Sequence, residues 1–316
     1  MSEKCLNCYG ELTDLAHTDF HPKCSLAFFG STTAPSLPYS LNDMHALAKE
    51  VISHHIAVPG VQPKLSLSLI DELLHQNTAT KLTVVGALGG NFIFKPPSST
   101  YTQLPENEHL TMKMAEIFKI PTVPSSLIRL QSGELAYITK RIDRTSQGEK
   151  IHMLDMFQIT EAVDKYKSSM ERIGKALERH SANTLMDQLR FFELTLFCFL
   201  TGNNDMHLKN FSMIAHNGQW HLAPAYDLLN VTLANPKDTE ELALSISGRK
   251  KKFTRKNFET FGSLLGLNNK QIQGVFNRFS RNQAAAQDLI SHSFLSPELQ
   301  ESYRKIMRSR YQSVLQ

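Results

Sequence analysis

The stretch that most restricts what this chain can fold into runs over residues 202–227: Gly-Asn-Asn-Asp-Met-His-Leu-Lys-Asn-Phe-Ser and, a short distance on, Ala-Pro-Ala-Tyr-Asp-Leu. Asp205 and Asn210 stand five apart, and Asp227 follows past a turn at Asn217 and Gly218. Phosphoryl transfer asks a protein for little covalent chemistry but for strict placement: a carboxylate to take the acceptor's proton, and hard oxygen ligands for magnesium. Asp205 fits the base, and Asn210 with Asp227 fits the metal. Turn formation after an apolar helix expected over 189–200 explains Asn203 and Asn204 equally well. It does not explain His207, Lys209 and Asn210, or a second Asp set among Ala225, Tyr226, Leu228 and Leu229.

At 316 residues the chain suits one bilobed unit or two domains, and a composition of 41% hydrophobic and 20% charged residues lets it bury a sizeable core. A net charge of +4 is weak ground for a nucleic-acid partner. No run approaches the roughly 18 apolar residues of a membrane span. The start, Met-Ser-Glu-Lys-Cys-Leu-Asn-Cys, lacks the apolar core of a signal peptide. The expected location is therefore the cytoplasm, with the cysteines reduced, metal-bound or buried.

Residues 1–40 read as a Cys-rich segment and linker. Cys5-x-x-Cys8 and His21-x-x-Cys24 have the spacing of a tetrahedral Cys₃His zinc site, in which metal replaces the core that so short a segment cannot build. The alternative is a small loop whose thiols pack on Phe20, Phe28 and Phe29 without metal. Cys198, in Phe-Cys-Phe-Leu, reads as an inert buried thiol. Thr32 to Ser40 reads as the linker.

Residues 41–145 predict a small sheet lobe. A helix with Met44, Leu47, Ala48 and Val51 at helical spacing precedes strands at 65–69, 82–85 and 92–95. Lys95 ends the third, where a protein kinase sets its phosphate-pairing lysine, although a lone lysine there is more often a solvated strand end. A helix over 106–118 has Leu110, Met114, Ile117 and Phe118 on one face and Glu106 and Glu108 in its first turn, favourable to its dipole. Glu108 lies within reach of Lys95. Strands at 126–130 and 135–142 close the lobe, with Lys140, Arg141 and Ile142 at a hinge.

Residues 146–316 read as an α-helical lobe, with helical periodicity over 155–163, 169–178, 184–200, 256–265, 269–289 and 297–314. The expected class is α+β, bilobed and protein-kinase-like. The basic run Arg249 to Lys252, with Arg255 and Lys256, reads first as a solvated face.

These residues resemble the HipA family of bacterial serine/threonine kinases, toxin partners of HipB-type repressors, from about residue 56 onward. The resemblance rests on Gly60-Val61-Gln62-Pro63-Lys64-Leu65, Phe94-Lys95-Pro96, Lys140 to Arg144, Asn204 to Phe211 and Ala223 to Asp227. It implies ATP and Mg²⁺ as cofactors. Pro59, Gly60, Val61, Gln62, Pro63 and Lys64 would cover the phosphates, Lys95 pair with them, and Lys140, Arg141 and Ile142 hold the adenine. Asp205 would be the base; His207, Lys209 and Tyr226 would line the nucleotide site with Asn210 and Asp227, the two magnesium ligands. Members commonly carry a regulatory serine where this chain has Ala57. Only a short Cys-rich segment stands where full-length members have an N-terminal subdomain, so the likeness is to the shorter HipT type, complemented by a HipS-like protein. A HipB-like repressor would tether the assembly to DNA.

The resemblance thus implies a toxin kinase that phosphorylates an aminoacyl-tRNA synthetase and stops translation. Two other readings are a small-molecule kinase of the aminoglycoside-phosphotransferase type and a non-catalytic scaffold. The Gln62-Pro63-Lys64 loop speaks against the first and the intact Lys95, Asp205, Asn210 and Asp227 against the second.

Overall fold

The computed structural model describes residues 4–13, 18–44, 46–47, 65–71, 80–85, 90–145 and 147–315. Their contacts divide the chain into two compact units, 1–109 with 123–149, and 110–122 with 150–316.

The first unit is built on an antiparallel five-stranded sheet: β1 (Leu65–Asp71), β2 (Thr80–Val85), β3 (Phe92–Lys95), β4 (Ser125–Arg129) and β5 (Leu135–Lys140). Its spatial order is β2-β1-β3-β5-β4. In β3, Phe92 and Phe94 are buried, and Leu65 pairs with Phe94 while Lys95 pairs with Tyr137. A hairpin at Ser132 and Gly133 joins β4 to β5, with Gly133 at φ 104°. Short α1 (Pro22–Phe29) starts with proline in its first turn and ends at Gly30, φ 83°, both favoured chemistries for those positions. Phe28 and Phe29 lay their rings 5.8 and 6.2 Å from that of Phe92, which fastens α1 to the sheet.

The stretch Thr32 to Ser40, expected as a linker, is instead partly packed down. Leu37 is buried and the Tyr39 carbonyl accepts from Gln131 N at 3.0 Å, so its one large apolar side chain and its backbone both have partners. Of the helix expected around Met44, residues 41–44 and 46–47 are helical; Ala48 and Val51 lie outside the described residues.

Helix α2 (Leu104–Ile117) starts in the first unit and ends in the second. The helix dipole would favour ionised Glu106 in its first turn, but burial wins and pushes this carboxyl up to about 7.

The second unit is helical: α3 (Met156–Ile159), α4 (Met170–His180), α5 (Thr184–Thr201), α6 (Val231–Ala234), α7 (Arg255–Leu264), α8 (Asn269–His292) and α9 (Pro297–Val314). The helix expected over 155–163 stops at Ile159, because Glu161 takes a left-handed φ of 49°. Helix α5 is apolar nearly all round and buries most of its length, as a central helix must. Phe191 packs edge-on to Phe211 and Phe261, Phe192 meets Phe276, and Phe199 contacts Phe253 and Phe258. Cys198 is fully buried in this core, and burial raises its thiol pKa, which keeps it inert. A small sheet of β6 (Met153–Asp155), β7 (Ser212–His216) and β8 (Gln219–Leu222) lies in the same unit. Asn217 and Gly218 join β7 to β8 with φ of 51° and 76°, the left-handed pair that a two-residue hairpin prefers. Among the described residues, no helix is long and apolar enough to cross a membrane.

The folded state holds the Glu106 proton more tightly than the unfolded chain does. Its contribution to stability is therefore full below about pH 4.5 and is lost as pH rises to about 7. Glu106→Gln is expected to stabilise the protein by on the order of 2 kcal/mol at pH 8 and to change little at pH 4, as read by urea unfolding at the two pH values.

Candidate active site

The segment from Gly202 to Asn210 is wound by its own polar groups. Gly202 ends α5 at φ 72°, and a Cβ there would meet Asn230 Oδ1 at 2.8 Å, so only glycine lets the chain turn at this point. Asp205 N donates to Asn203 Oδ1 at 3.4 Å and His207 N donates to the Asp205 carbonyl at 2.8 Å. His207 then caps a single 3₁₀ turn, Leu208–Asn210, by accepting from Lys209 N at 3.3 Å. Asn203, Asn204, His207 and Asn210 are all buried.

Asn210 and Asp227, apart in sequence, meet in space: Asn210 Nδ2 donates to Asp227 Oδ2 at 2.8 Å. Asn210 Oδ1 is buried without a hydrogen-bond partner among the described residues. Asp227 has φ 61°, a left-handed conformation that a non-glycine residue adopts only under constraint and that clusters at functional sites. A hard oxygen with an unfilled lone pair beside a carboxylate is a donor set that suits Mg²⁺. Tyr226 points its hydroxyl inward, donating to the Lys209 carbonyl at 3.0 Å and meeting Ser212 Oγ at 2.5 Å. It thus braces the loop with its polar end. Lys209 extends its ammonium to 4.8 Å from the Phe157 ring.

Asp205 has a partner that sequence reasoning missed. Tyr166 Oη donates to Asp205 Oδ1 at 2.7 Å, and its ring stands edge-on to His207 with centroids 5.0 Å apart. The Lys165 carbonyl accepts from Leu208 N at 3.2 Å, so the strand of loop between α3 and α4 is tied along the Asp205 segment. Burial raises the Asp205 carboxyl above the ordinary range; the Tyr166 hydrogen bond and the Lys165 cation oppose it, and Asp227 and Asp238 add to the rise. Nothing in Asp-Lys-Tyr-Lys at 164–167 announces this contact, because a polar loop and its target 39 residues away share no period.

In the first unit, Lys95 is buried rather than a solvated strand end, and its Nζ donates to Glu108 Oε1 at 2.6 Å. Lys140 turns its Nζ to 5.7 Å from the Phe28 ring and 3.5 Å from the Ala27 carbonyl, and burial lowers its pKa. Arg141 makes a bidentate pair with Asp143, Nε to Oδ1 at 2.9 Å and Nη2 to Oδ2 at 2.6 Å. Ile142 is half-buried beside them. The phosphate-loop residues Pro59 to Lys64, with Ala57, lie outside the described residues.

Cys5, Cys8, His21 and Cys24 bring one ligand atom each to within 4.8 Å of one another. His21 Nδ1 lies 3.3 Å from Cys8 Sγ and 3.9 Å from Cys24 Sγ, while its Nε2 is 2.9 Å from the Glu11 carbonyl. Burial, with Cys5 and Cys8 close by, pushes the Cys24 thiol up to about 12.

Comparison with known proteins places this geometry in a family. Residues 56–287 match the model described as the HipA-like C-terminal domain. A Haemophilus influenzae protein named "Putative kinase" is 28% identical over 305 residues, covering 86% of each chain. A second, "Putative kinase Y4dM" of Sinorhizobium fredii, is 33% identical over 178 residues, 52% of this chain and 42% of that one. Among solved structures, HipA of Shewanella oneidensis MR-1, in complex with HipB and operator DNA, matches with a TM-score of 0.66 at 21% identity over 85% of this chain and 71% of its own. The Helicobacter pylori proinflammatory kinase CtkA matches with a TM-score of 0.52 at 13% identity, over 71% of this chain and 87% of its own. The structural likenesses establish a kinase-like α+β fold, and the match over most of its length shows that the chain belongs to the HipA-like C-terminal domain family.

Proposed function

We propose that this chain is an ATP-dependent protein kinase that moves the γ-phosphoryl group of ATP to a serine or threonine hydroxyl. The observation that carries the reading is the hydrogen bond that joins Asn210 to a left-handed Asp227, with the Asp205 carboxyl near enough to feel the Asp227 charge. In this reading Asp205 accepts the acceptor's proton as the acceptor oxygen forms its bond to phosphorus and the bond to the ADP oxygen breaks. Tyr166 holds one carboxylate oxygen of Asp205 by hydrogen bond, which leaves the other to receive that proton. Asn210 Oδ1 and Asp227 would hold magnesium, which when bound neutralises charge on the phosphates. Lys95, oriented by Glu108, would pair with phosphate oxygens. His207, buried and edge-on to the Tyr166 ring, keeps the Asp205 segment in shape and would line the nucleotide site.

The same reading makes the chain a toxin kinase of HipT type acting on an aminoacyl-tRNA synthetase. It also gives the chain HipS-like and HipB-like partners and contact with DNA only through the repressor. The solved relative with HipB and operator DNA supports a repressor partner. Two cations in and beside the basic run are engaged within the chain, Lys250 with Glu240 at 3.2 Å and Arg255 with Glu259 at 3.1 Å. A zinc ion at Cys5, Cys8, His21 and Cys24 completes the cofactor set beside ATP and Mg²⁺.

Asp205→Asn is expected to abolish phosphate transfer while nucleotide affinity stays within about twofold, because the proton acceptor goes and the metal ligands remain. Intact-mass spectrometry of lysate proteins after incubation with ATP reads the transfer, and calorimetry reads the affinity; near-normal turnover in the variant refutes the mechanism. Phosphate appearing only on small molecules would select the other kinase class.

A base works deprotonated, so activity falls as pH drops through the Asp205 pKa. Since burial raises that pKa, the acid limb is expected above the ordinary Asp value of about 3.9. Lys165→Met removes a cation facing Asp205, with Tyr166, Asp227 and Asp238 unchanged, and is expected to move the limb higher still. Tyr166→Phe is expected to lower kcat roughly tenfold to a hundredfold with KM for ATP unchanged, the loss of about one hydrogen bond to a charged group.

A further inference from the structure

The Cys-rich segment has a side chain that neither metal binding nor the kinase reading accounts for. Cys5 N donates to the Gly10 carbonyl at 2.8 Å and Tyr9 N donates to the Cys5 carbonyl at 3.0 Å, so residues 5–10 close into a tight knuckle around the first ligand pair. The residue after Cys8 takes φ 63°, a conformation that glycine adopts freely and an aromatic residue adopts only under constraint. That residue is Tyr9, while the glycine comes one place later, where a Cβ at Gly10 would approach the His21 ring at 3.2 Å. A strained tyrosine persists only where its surroundings over-determine it.

Its surroundings are specific. Tyr9 is 3% exposed, its ring stands perpendicular to that of His109 with centroids 5.2 Å apart, and its hydroxyl is 2.9 Å from His109 Nδ1. His109 follows Glu108 in α2, and Glu108 is the carboxylate that pairs with Lys95. The knuckle is also sewn to the sheet. Leu127 N donates to the Leu6 carbonyl at 3.2 Å, Asn7 Nδ2 donates to the Ser125 carbonyl at 3.2 Å, and Arg129 grips Asp19 through two nitrogens.

The ligands are presented for metal. The His21 ring can donate from Nε2 to the Glu11 carbonyl, which leaves the Nδ1 lone pair facing Cys8 and Cys24, the tautomer that a zinc ligand needs. His21 caps α1 and Cys24 lies in its first turn, so the second ligand pair is held by a helix and the first by the knuckle. Four ligands on two short elements are the donor set that a structural metal site uses.

Resting on the zinc reading above, we infer that one zinc ion at Cys5, Cys8, His21 and Cys24 acts as a clamp on the catalytic lysine's partner: it fixes the knuckle, the knuckle fixes Tyr9, and Tyr9 holds His109 and with it the turn of α2 that carries Glu108. Tyr9 is thus a positioning residue, remote from the reacting atoms. Loss of the metal releases this turn without altering any residue of the Asp205 cluster. The kinase becomes dependent on zinc through the contact of Tyr9 with His109, which includes a hydrogen bond and an edge-on ring contact.

The test uses the full chain, purified without added metal or chelator, and two readouts that need no phosphate transfer. Elemental analysis is expected to find about one equivalent of zinc in the native chain and in Tyr9→Phe, and less than half in Cys8→Ser, which alters the exposed ligand. Under about a tenth of an equivalent in the native chain, or a full equivalent retained by Cys8→Ser, overturns the site. Hydrogen exchange over residues 104–112 is then compared between native chain and Tyr9→Phe, which keeps the ring and removes the hydroxyl. Exchange is expected to be roughly fivefold to tenfold faster in the variant, the loss expected for one buried hydrogen bond. Unchanged exchange in a variant that still holds zinc overturns the clamp and leaves the zinc site standing. Neither outcome depends on whether the chain is a kinase.

Discussion

The hydrogen bond from Asn210 to Asp227 is the contact on which the candidate site depends. It joins the end of a 3₁₀ turn to a loop beyond the β7-β8 hairpin, and each of those segments is held by a different part of the second unit. On one side α5 delivers the chain to Gly202, whose left-handed turn points Asn203 to Asp205 away from the helix axis. On the other, Ala225 N donates to the Pro121 carbonyl at 2.8 Å, which fixes the approach to Tyr226 and Asp227. Were either anchor loose, Asp227 could leave its left-handed φ of 61° for a more populated conformation.

Those anchors are held by apolar burial around a few hydrogen-bonded polar groups. Helix α5 supplies Phe191, Phe192, Phe197 and Phe199 to a core shared with α7, α8 and the residues after α2. Within it Asp187 is buried, yet its Oδ2 accepts from Ser181 Oγ at 2.6 Å and from Leu222 N at 2.8 Å. A buried carboxylate without donors would be costly; with two it sets the end of β8 against the start of α5 and so aims the segment that leads to Asp227. The Thr111 and Tyr303 hydroxyls, 2.9 Å apart, do the same between α2 and α9.

The first unit solves a different problem. A five-stranded sheet with one face to cover and a lysine buried at the end of β3 needs a partner for that charge and support for that partner. Glu108 meets the first need at 2.6 Å. The second falls to Tyr9, from the far end of the sequence, and to α1, whose Phe28 and Phe29 cover Phe92. The basic side chain of Lys140 is drawn the same way, over Phe28, which explains why it faces the Cys-rich segment.

The sequence by itself determined most of the elements and pointed to a candidate chemistry. Period-2 and period-3.6 apolar patterns located the five strands of the first unit and the long helices to within a few residues, because burial acts on every second or every third and fourth side chain. The spacing of Asp205, Asn210 and Asp227 pointed to phosphoryl transfer, and Cys5-x-x-Cys8 with His21-x-x-Cys24 to a four-ligand cluster, since such groups must share a short segment to share an ion. Only the tertiary structure decided that Tyr166 holds Asp205, that desolvation raises the Glu106 carboxyl pKa, that Thr32 to Ser40 packs down in part, and that Tyr9 reaches His109. Each of these is one contact between residues distant in the chain, or one side chain's share of solvent. Neither leaves a period in the sequence, because a hydrogen bond or a desolvated carboxyl depends on what the finished fold brings beside it.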